Sequence, residues 1–177
     1  NRCEYPARQI LREQVVGTGG LGNPAHLTIS KKTALELATA LGSLAPSLVE
    51  PGRAHVEHFA IAFDRAREHR NRFVHGLWQT VAASPPRPAT GILLNAKPKG
   101  GANPIPAYVT AADIKAVSDH IWALAEYGRQ VGIAFSRTGA RRLNQKGDPE
   151  IDPLPDKPSL LEPCAIEYFI SPPAGSG

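Results

Sequence analysis

Apolar residues recur along this chain at spacings of three and four, the period of an α-helix that buries one face. Residues 5–16, 31–48, 53–80 and 111–136 carry the pattern. The turn Glu50-Pro51-Gly52 is short, and a short turn between long helices implies antiparallel neighbours. The pattern therefore predicts a mainly α fold, an antiparallel bundle of four or five helices.

Two short apolar runs, residues 90–96 and 105–109, interrupt the helical pattern on either side of a lysine-rich loop. They predict a small β hairpin, a flap at about 85–109. Beyond Ser136 the periodicity fades and proline becomes frequent. We therefore predict a helical bundle over residues 1–136. Residues 137–177 are predicted to form an irregular, Pro-rich C-terminal extension that packs on the bundle.

Helix starts and packing positions can also be predicted. Ser30 is a suitable N-cap for the second helix, and Thr110 to Asp113 resembles a capping box for the last one. Gly128 and Gly132 in the last helix would allow a neighbouring helix to approach closely.

The long third helix has an unusual core-facing stripe, made of Val56, Phe59, Ala60, Phe63, Ala66, Val74 and Leu77. One heptad after Phe63 the stripe reaches Arg70. A buried arginine without a partner is strongly destabilising. Arg70 is therefore expected to have a partner or to line a cleft.

Length and composition set broad limits. The 177 residues suggest one domain with a substantial core, and the net charge of +4 is compatible with a polyanionic partner. Cys3 and Cys164 could pair end to end, but two cysteines without a ladder favour thiols in a cytosolic protein. No apolar run approaches the length of a membrane span, so we expect a cytoplasmic protein without membrane contact.

Charge, histidine and helical period meet in residues 65–78. A histidine can move a proton near neutral pH, and an arginine can hold a phosphate through two hydrogen bonds. Asn71 could orient a ligand or the histidine. On an unbroken helix Arg70 and His75 would lie about 140° apart. They can serve one site only if the helix distorts, if Arg70 reaches round, or if a second subunit completes the site.

The segment from Arg70 and Asn71 to His75 and Gly76 resembles the signature of the HEPN superfamily, an arginine and a polar residue followed by a histidine. The resemblance covers residues 53–78 and implies a helical bundle that dimerises with the motif at the interface. It further implies a metal-independent endoribonuclease or RNA-binding protein in defence, toxin–antitoxin or RNA processing. His75 would transfer protons, Arg70 would clamp phosphate and Asn71 would orient; an antitoxin protein is an expected partner.

Other basic residues extend the candidate RNA-binding surface: Arg65, Arg67, Arg72, Lys97 and Lys99. The alternative is a solvated helix face that Asp64 and Glu68 balance, with Arg70 paired to Glu68 or Glu126. That alternative leaves a non-catalytic helical module that binds a protein partner or a nucleotide.

Metal and nucleotide chemistry have weaker signals. His55 and His58 share a helix face, and His120 or a carboxylate could add a ligand, but no complete ligand set is visible. Residues 17–22 match G-x-G-x-x-G without the strand that must precede this fingerprint. We therefore expect neither a metal nor a cofactor.

Overall fold

The computed structural model describes residues 2–15, 24–75, 77–80, 90–94, 106–139 and 154–162. These residues are mainly helical, as predicted. The helices are α1 (Glu4–Val15), α2 (Pro24–Lys31), α3 (Ala34–Leu44), α4 (Gly52–His75) and α5 (Ala111–Gly139), and the strands are β1 (Leu77–Thr80), β2 (Thr90–Leu94) and β3 (Pro106–Thr110). Among the helices of this described part, none is both long enough and apolar enough to cross a bilayer.

The chain divides into two compact units. The first unit comprises residues 1–64 and 121–161, and it contains α1, α2, α3, the N-terminal part of α4 and the larger part of α5. The second unit comprises residues 65–120 and 162–177, and it contains the remaining parts of α4 and α5 together with the strands.

The core of the first unit is built from apolar side chains on four helices. Phe59 and Phe63 of α4 stack with their ring centroids 6.0 Å apart. Side chains from α1, α3, α4 and α5 that are 2% exposed or less complete this core: Ile10, Leu11, Leu37, Leu41, Val56, Leu124 and Val131. Burying a side chain of this size contributes about 1.5–3 kcal/mol relative to leaving it in water.

The Phe59 ring of α4 lies against α5 at Gly128. A Cβ atom at this position would lie 2.5 Å from Cε2 of Phe59 and 3.1 Å from Cβ of Pro6. Real Cβ atoms do not approach other atoms to 2.5 Å, so only glycine lets the Phe59 ring lie against this helix. At Gly132 the nearest atoms belong to the flexible Gln9 side chain, with Cδ at 3.1 Å.

The second predicted helix begins at a different residue from the one expected. Ser30 lies inside α2, and Thr33 is the N-cap of α3. The Thr33 backbone N–H donates to Glu36 Oε2 at 2.6 Å, and the Glu36 N–H donates to Thr33 Oγ1 at 3.4 Å. The prediction of Ser30 was wrong because this reciprocal capping box satisfies two backbone donors, whereas a lone serine satisfies one.

The third helix was predicted to end at residue 80, which is five residues too far. Helix α4 ends at His75, and residues 77–80, which were predicted to be helical, form β1. In the second unit β1 pairs with β2 and β2 with β3, both antiparallel, with Trp78 opposite Leu93 and Leu93 opposite Ala107. The strands β2 and β3 fall on the two short apolar runs of the sequence.

A buried thiol lies in the first unit. Cys3 is 1% exposed, and its Sγ is 3.5 Å from the carbonyl oxygen of Ile121. Burial raises the pKa of the Cys3 thiol to about 12, so the thiolate is disfavoured at neutral pH. Cys164 lies outside the described residues.

Replacing Gly128 by alanine should lower the free energy of unfolding. Overpacking against Phe59 costs about 1–3 kcal/mol, and the gain of about 1 kcal/mol in helix propensity limits the net loss to at most about 2 kcal/mol. Urea denaturation followed by circular dichroism would measure the change.

The matched control is Gly42→Ala in α3, where an added Cβ meets no atom within 4 Å. This variant should gain about 0.5–1 kcal/mol of stability. Equal stabilisation of both variants would contradict the close contact at Gly128.

Candidate functional site

The C-terminal part of α4 carries the residues predicted to form the site. The helix runs without a break from Gly52 to His75. The backbone positions of Arg70 and His75 are therefore about 140° apart around the axis and about 7.5 Å apart along it. The side chain of His75 lies outside the described part of the chain, as do Lys97 and Lys99.

Arg70 is exposed, and its Nη1 donates to Oδ1 of Asn71 at 3.1 Å. Among the described residues, the guanidinium of Arg70 makes no other hydrogen bond. Two of the three predicted catalytic residues are thus in direct contact. A guanidinium has five N–H donors, so the bond to Asn71 leaves capacity for a phosphate oxygen.

The expectation that Arg70 lies on a core-facing stripe was wrong. The buried stripe of α4 ends at Ala66, which is 3% exposed, and Val74 further along is 55% exposed. The apolar pattern continues in the sequence beyond Ala66, but no described side chain packs over that part of the helix closely enough to bury it. Arg70 therefore avoids the desolvation cost that a buried position would impose.

The carboxylates suggested as partners of Arg70 are engaged by other arginines. Glu68 lies 3.6 Å from Arg67. Glu126 accepts two hydrogen bonds from Arg129, at 2.8 and 2.6 Å, and these hold the pKa of Glu126 at about 2. The ion pair that would have given Arg70 a structural role is not found among the described residues.

The other predicted RNA-binding residues of α4 lie on two sides of the helix. Arg65 and Arg72 are seven residues apart and so point in nearly the same direction, whereas Arg67 is close to Arg70. Arg65 and Arg72 are half-buried, and the Arg67 side chain is 17% exposed. A linear phosphate backbone would therefore meet Arg67 and Arg70 more readily than all four arginines at once.

Sequence reasoning missed the role of His69. Its Nε2 lies 2.9 Å from the carbonyl oxygen of Glu162, so the ring donates there. Its Nδ1 is buried without a partner among the described residues. Glu162 is 93 residues away in the chain, and no local pattern could reveal this contact. It ties the turn of α4 that bears Arg70 to the C-terminal region.

His55 and His58 both contact Tyr127 of α5. His55 Nδ1 lies 2.9 Å from the Tyr127 hydroxyl, which is 3.3 Å from the His55 carbonyl oxygen and donates to it. The His58 ring meets the Tyr127 ring edge-on, with centroids 5.7 Å apart. In the described part of the chain no three His, Cys, Asp or Glu side chains are grouped to hold a metal ion. The helical spacing of the two histidines thus reflects an aromatic cluster.

Burial lowers the pKa of both histidines. For His55 the nearby charges of Lys157 and His58 add to the effect, and for His58 a hydrogen bond to the backbone carbonyl of Pro158 partly opposes it. Burial also raises the pKa of Tyr127. The cluster is therefore stable in its uncharged form.

Searches of protein families, of curated proteins and of solved structures found no match to this chain.

The stability of the protein should fall as the pH drops below about 6.5, the ordinary pKa of histidine. The lowered pKa of His55 and His58 means that the unfolded state binds protons first, so acid favours unfolding. Urea denaturation between about pH 7.5 and 5.5 would measure this dependence.

The double variant His55→Asn, His58→Asn should show a shallower pH dependence, because asparagine keeps a donor near Nδ1 and does not titrate. Lys115→Gln on the exposed start of α5 is the control and should keep the wild-type slope. An unchanged slope in the double variant would refute the assignment.

Proposed function

We propose that this chain is a HEPN-like RNA-binding protein and a metal-independent endoribonuclease. In this proposal it folds as an antiparallel bundle of four or five helices with a small β hairpin. It acts in the cytoplasm as a homodimer, in defence, as a toxin or in RNA processing. A toxin role would add an antitoxin protein as a partner.

The observation that carries the proposal is the environment of Arg70. Its guanidinium is exposed and bonded to the neutral amide of Asn71. An arginine that served the scaffold would pair with a carboxylate, and Glu68 and Glu126 are engaged elsewhere. A guanidinium with a neutral partner keeps its full charge for a phosphate and can bind it through two hydrogen bonds.

The geometry of α4 supports a site shared between two subunits. Arg70 and His75 diverge by about 140° on an unbroken helix, so one helix does not easily direct both at one phosphate. In a dimer with twofold symmetry, Arg70 of one protomer and His75 of its partner can face each other, and two equivalent sites result.

The proposed chemistry needs no metal. His75 would accept the proton of an RNA 2′-hydroxyl, and that oxygen would attack the adjacent phosphorus while the bond from phosphorus to O5′ breaks. The leaving O5′ would take a proton from water, so the products are a 2′,3′-cyclic phosphate and a 5′-hydroxyl end. Arg70 would bind the non-bridging oxygens, where negative charge develops. Asn71 would hold the guanidinium through the 3.1 Å hydrogen bond, and so acts as a positioning residue.

A second candidate is a non-catalytic helical module that binds a protein partner or a nucleotide. Exposed apolar side chains favour a protein partner, since Val74 is 55% and Ile114 is 41% exposed. This candidate predicts RNA-independent binding and no cleavage.

Purified protein should cleave mixed RNA in the presence of a chelator. Arg70→Ala should lower kcat/KM by about 10²–10³, the usual effect of removing one group that stabilises transition-state charge. His75→Ala should abolish cleavage because no proton acceptor remains. Gel-based single-turnover assays would measure both effects.

Arg53→Gln is the matched control for charge, since Arg53 is an exposed arginine of the same helix that pairs with Glu57. It should keep wild-type activity, and circular dichroism should show that all variants fold. Cleavage that survives in His75→Ala, or that requires a divalent metal, would refute the proposed mechanism.

Mixing the two inactive variants tests the shared site. In a heterodimer of Arg70→Ala and His75→Ala, one composite site regains both residues, so random exchange should restore about a quarter of the wild-type activity. Subunits exchanged in mild urea and then assayed would give this value. No recovery, despite demonstrated exchange, would place both residues in one protomer.

A further inference from the structure

A C-terminal segment, residues 154–161, is bonded to α4 in the first unit. It forms neither helix nor strand, and Pro155 and Pro158 restrict its backbone. Because proline has no N–H group, this segment offers more carbonyl acceptors than donors. The His58 ring of α4 supplies a donor, which hydrogen-bonds to the carbonyl of Pro158. A single imidazole is therefore a polar anchor of the segment.

This bond determines which ring nitrogen of His58 carries the proton. Nε2 is buried and has no hydrogen-bond partner among the described residues, so the donor to Pro158 is Nδ1. In the neutral ring Nε2 then carries no proton. A proton added there would create a second N–H donor without an acceptor, which is costly in a buried position. Water can reach that atom only if the surrounding structure opens.

The groups around His58 give its charged form little support. Burial lowers the pKa of His58, and the exposed Lys157 of the segment lowers it further. On α4 His55 faces the same cluster, and on α5 the Tyr127 hydroxyl is an uncharged partner of His55 at 2.9 Å. The carboxylate of Glu50, which precedes α4, acts on His55. Burial and the ammonium group thus outweigh the hydrogen bond to the segment, and the neutral ring is favoured while the segment is in place.

We propose that residues 154–161 are a pH-sensitive strap, which lies on α4 at neutral pH and detaches when His58 gains a second proton. Detachment opens Nε2 to water, which accepts its new N–H, and removes Lys157 from the charged ring. Once detached, His58 titrates like an ordinary histidine, so the attached state loses stability as the pH falls below about 6.5. This inference is independent of the proposed RNA site.

The rest of the first unit should stay folded when the strap detaches. The buried core in the described part of the chain contains no polar or charged side chain, so it has no group that titrates in this range except the buried Cys3 thiol, whose raised pKa keeps it neutral. The residue after the strap, Glu162, is held separately in the second unit by His69. Detachment is thus expected to be a local event in residues 154–161.

Backbone amide NMR relaxation of the full chain, at about pH 7.5 and about pH 5.5, tests the strap. We expect the order parameters of Lys157, Ser159 and Leu160 to fall from about 0.85, a rigid backbone, to below about 0.6. The fall should follow the titration of the His58 ring nitrogens, and their shifts at neutral pH should show the proton on Nδ1. Leu124 in the core should stay rigid at both pH values.

His58→Asn keeps a donor near the position of Nδ1 and does not titrate, so the strap should stay ordered at both pH values. His55→Asn is the matched control, because His55 bonds to Tyr127 and leaves the anchor intact. It should still release the strap in acid. Lys157→Gln should weaken the pH dependence, since it removes a charge that opposes the protonated ring in place.

A strap that stays ordered while His58 titrates in the wild type would overturn the proposal. So would a strap that is already mobile at neutral pH, or acid-induced mobility that persists in His58→Asn. Loss of order in Leu124 at the same pH would show global unfolding and overturn it as well. If His58→Asn does not fold, an unchanged pH dependence in Lys157→Gln is the decisive contrary result.

Discussion

The contact of the Phe59 ring with α5 at Gly128 constrains the rest of the first unit. Because no side chain separates them, the ring lies directly against the helix backbone and Pro6 approaches from α1. Three helices therefore meet at one point. Tyr127, one residue before Gly128, is held beside Phe59 with ring centroids 6.2 Å apart. This arrangement brings its hydroxyl to His55, and so the polar cluster depends on the same apolar contact.

Helix α4 changes its surroundings along its length. Its first part supplies aromatic side chains to the core. Its last part carries four arginines, and two carboxylates, Asp64 and Glu68, offset half of their charge. A site on a helix is positioned more accurately than a site on a loop. The Asn71 amide and the His69 contact with Glu162 both act on the turn that bears Arg70. Local order and exposure are thus combined at Arg70.

Most of the helical structure could be predicted from sequence, because a long periodic pattern has few competing interpretations. The boundaries were less predictable. Leu77 fits the helical stripe as well as it fits a strand, so the pattern could not show that α4 ends at His75. The helix α2 has eight residues, too few for a clear period, and it was missed.

The candidate site was predictable only in part. The residue types were visible in the sequence, but the contact between Arg70 and Asn71 was not predicted, because neighbouring side chains on a helix do not face each other. The exposure of Arg70 does not, because a stripe indicates which way a side chain points and gives no information on what covers it. His55 and His69 find their partners 72 and 93 residues away, beyond the range of any local pattern.

The long separation of these contacts has a consequence for synthesis of the protein. Cys3, the residue before α1, donates to a carbonyl 118 residues further along the chain. Helix α1 packs on α2 and α3, which are made soon after it, but its contacts with α5 form only when that helix has been made. During that interval the side chains that pack on α5, such as Pro6 and Phe59, would stay exposed, and binding by a chaperone would protect them from aggregation.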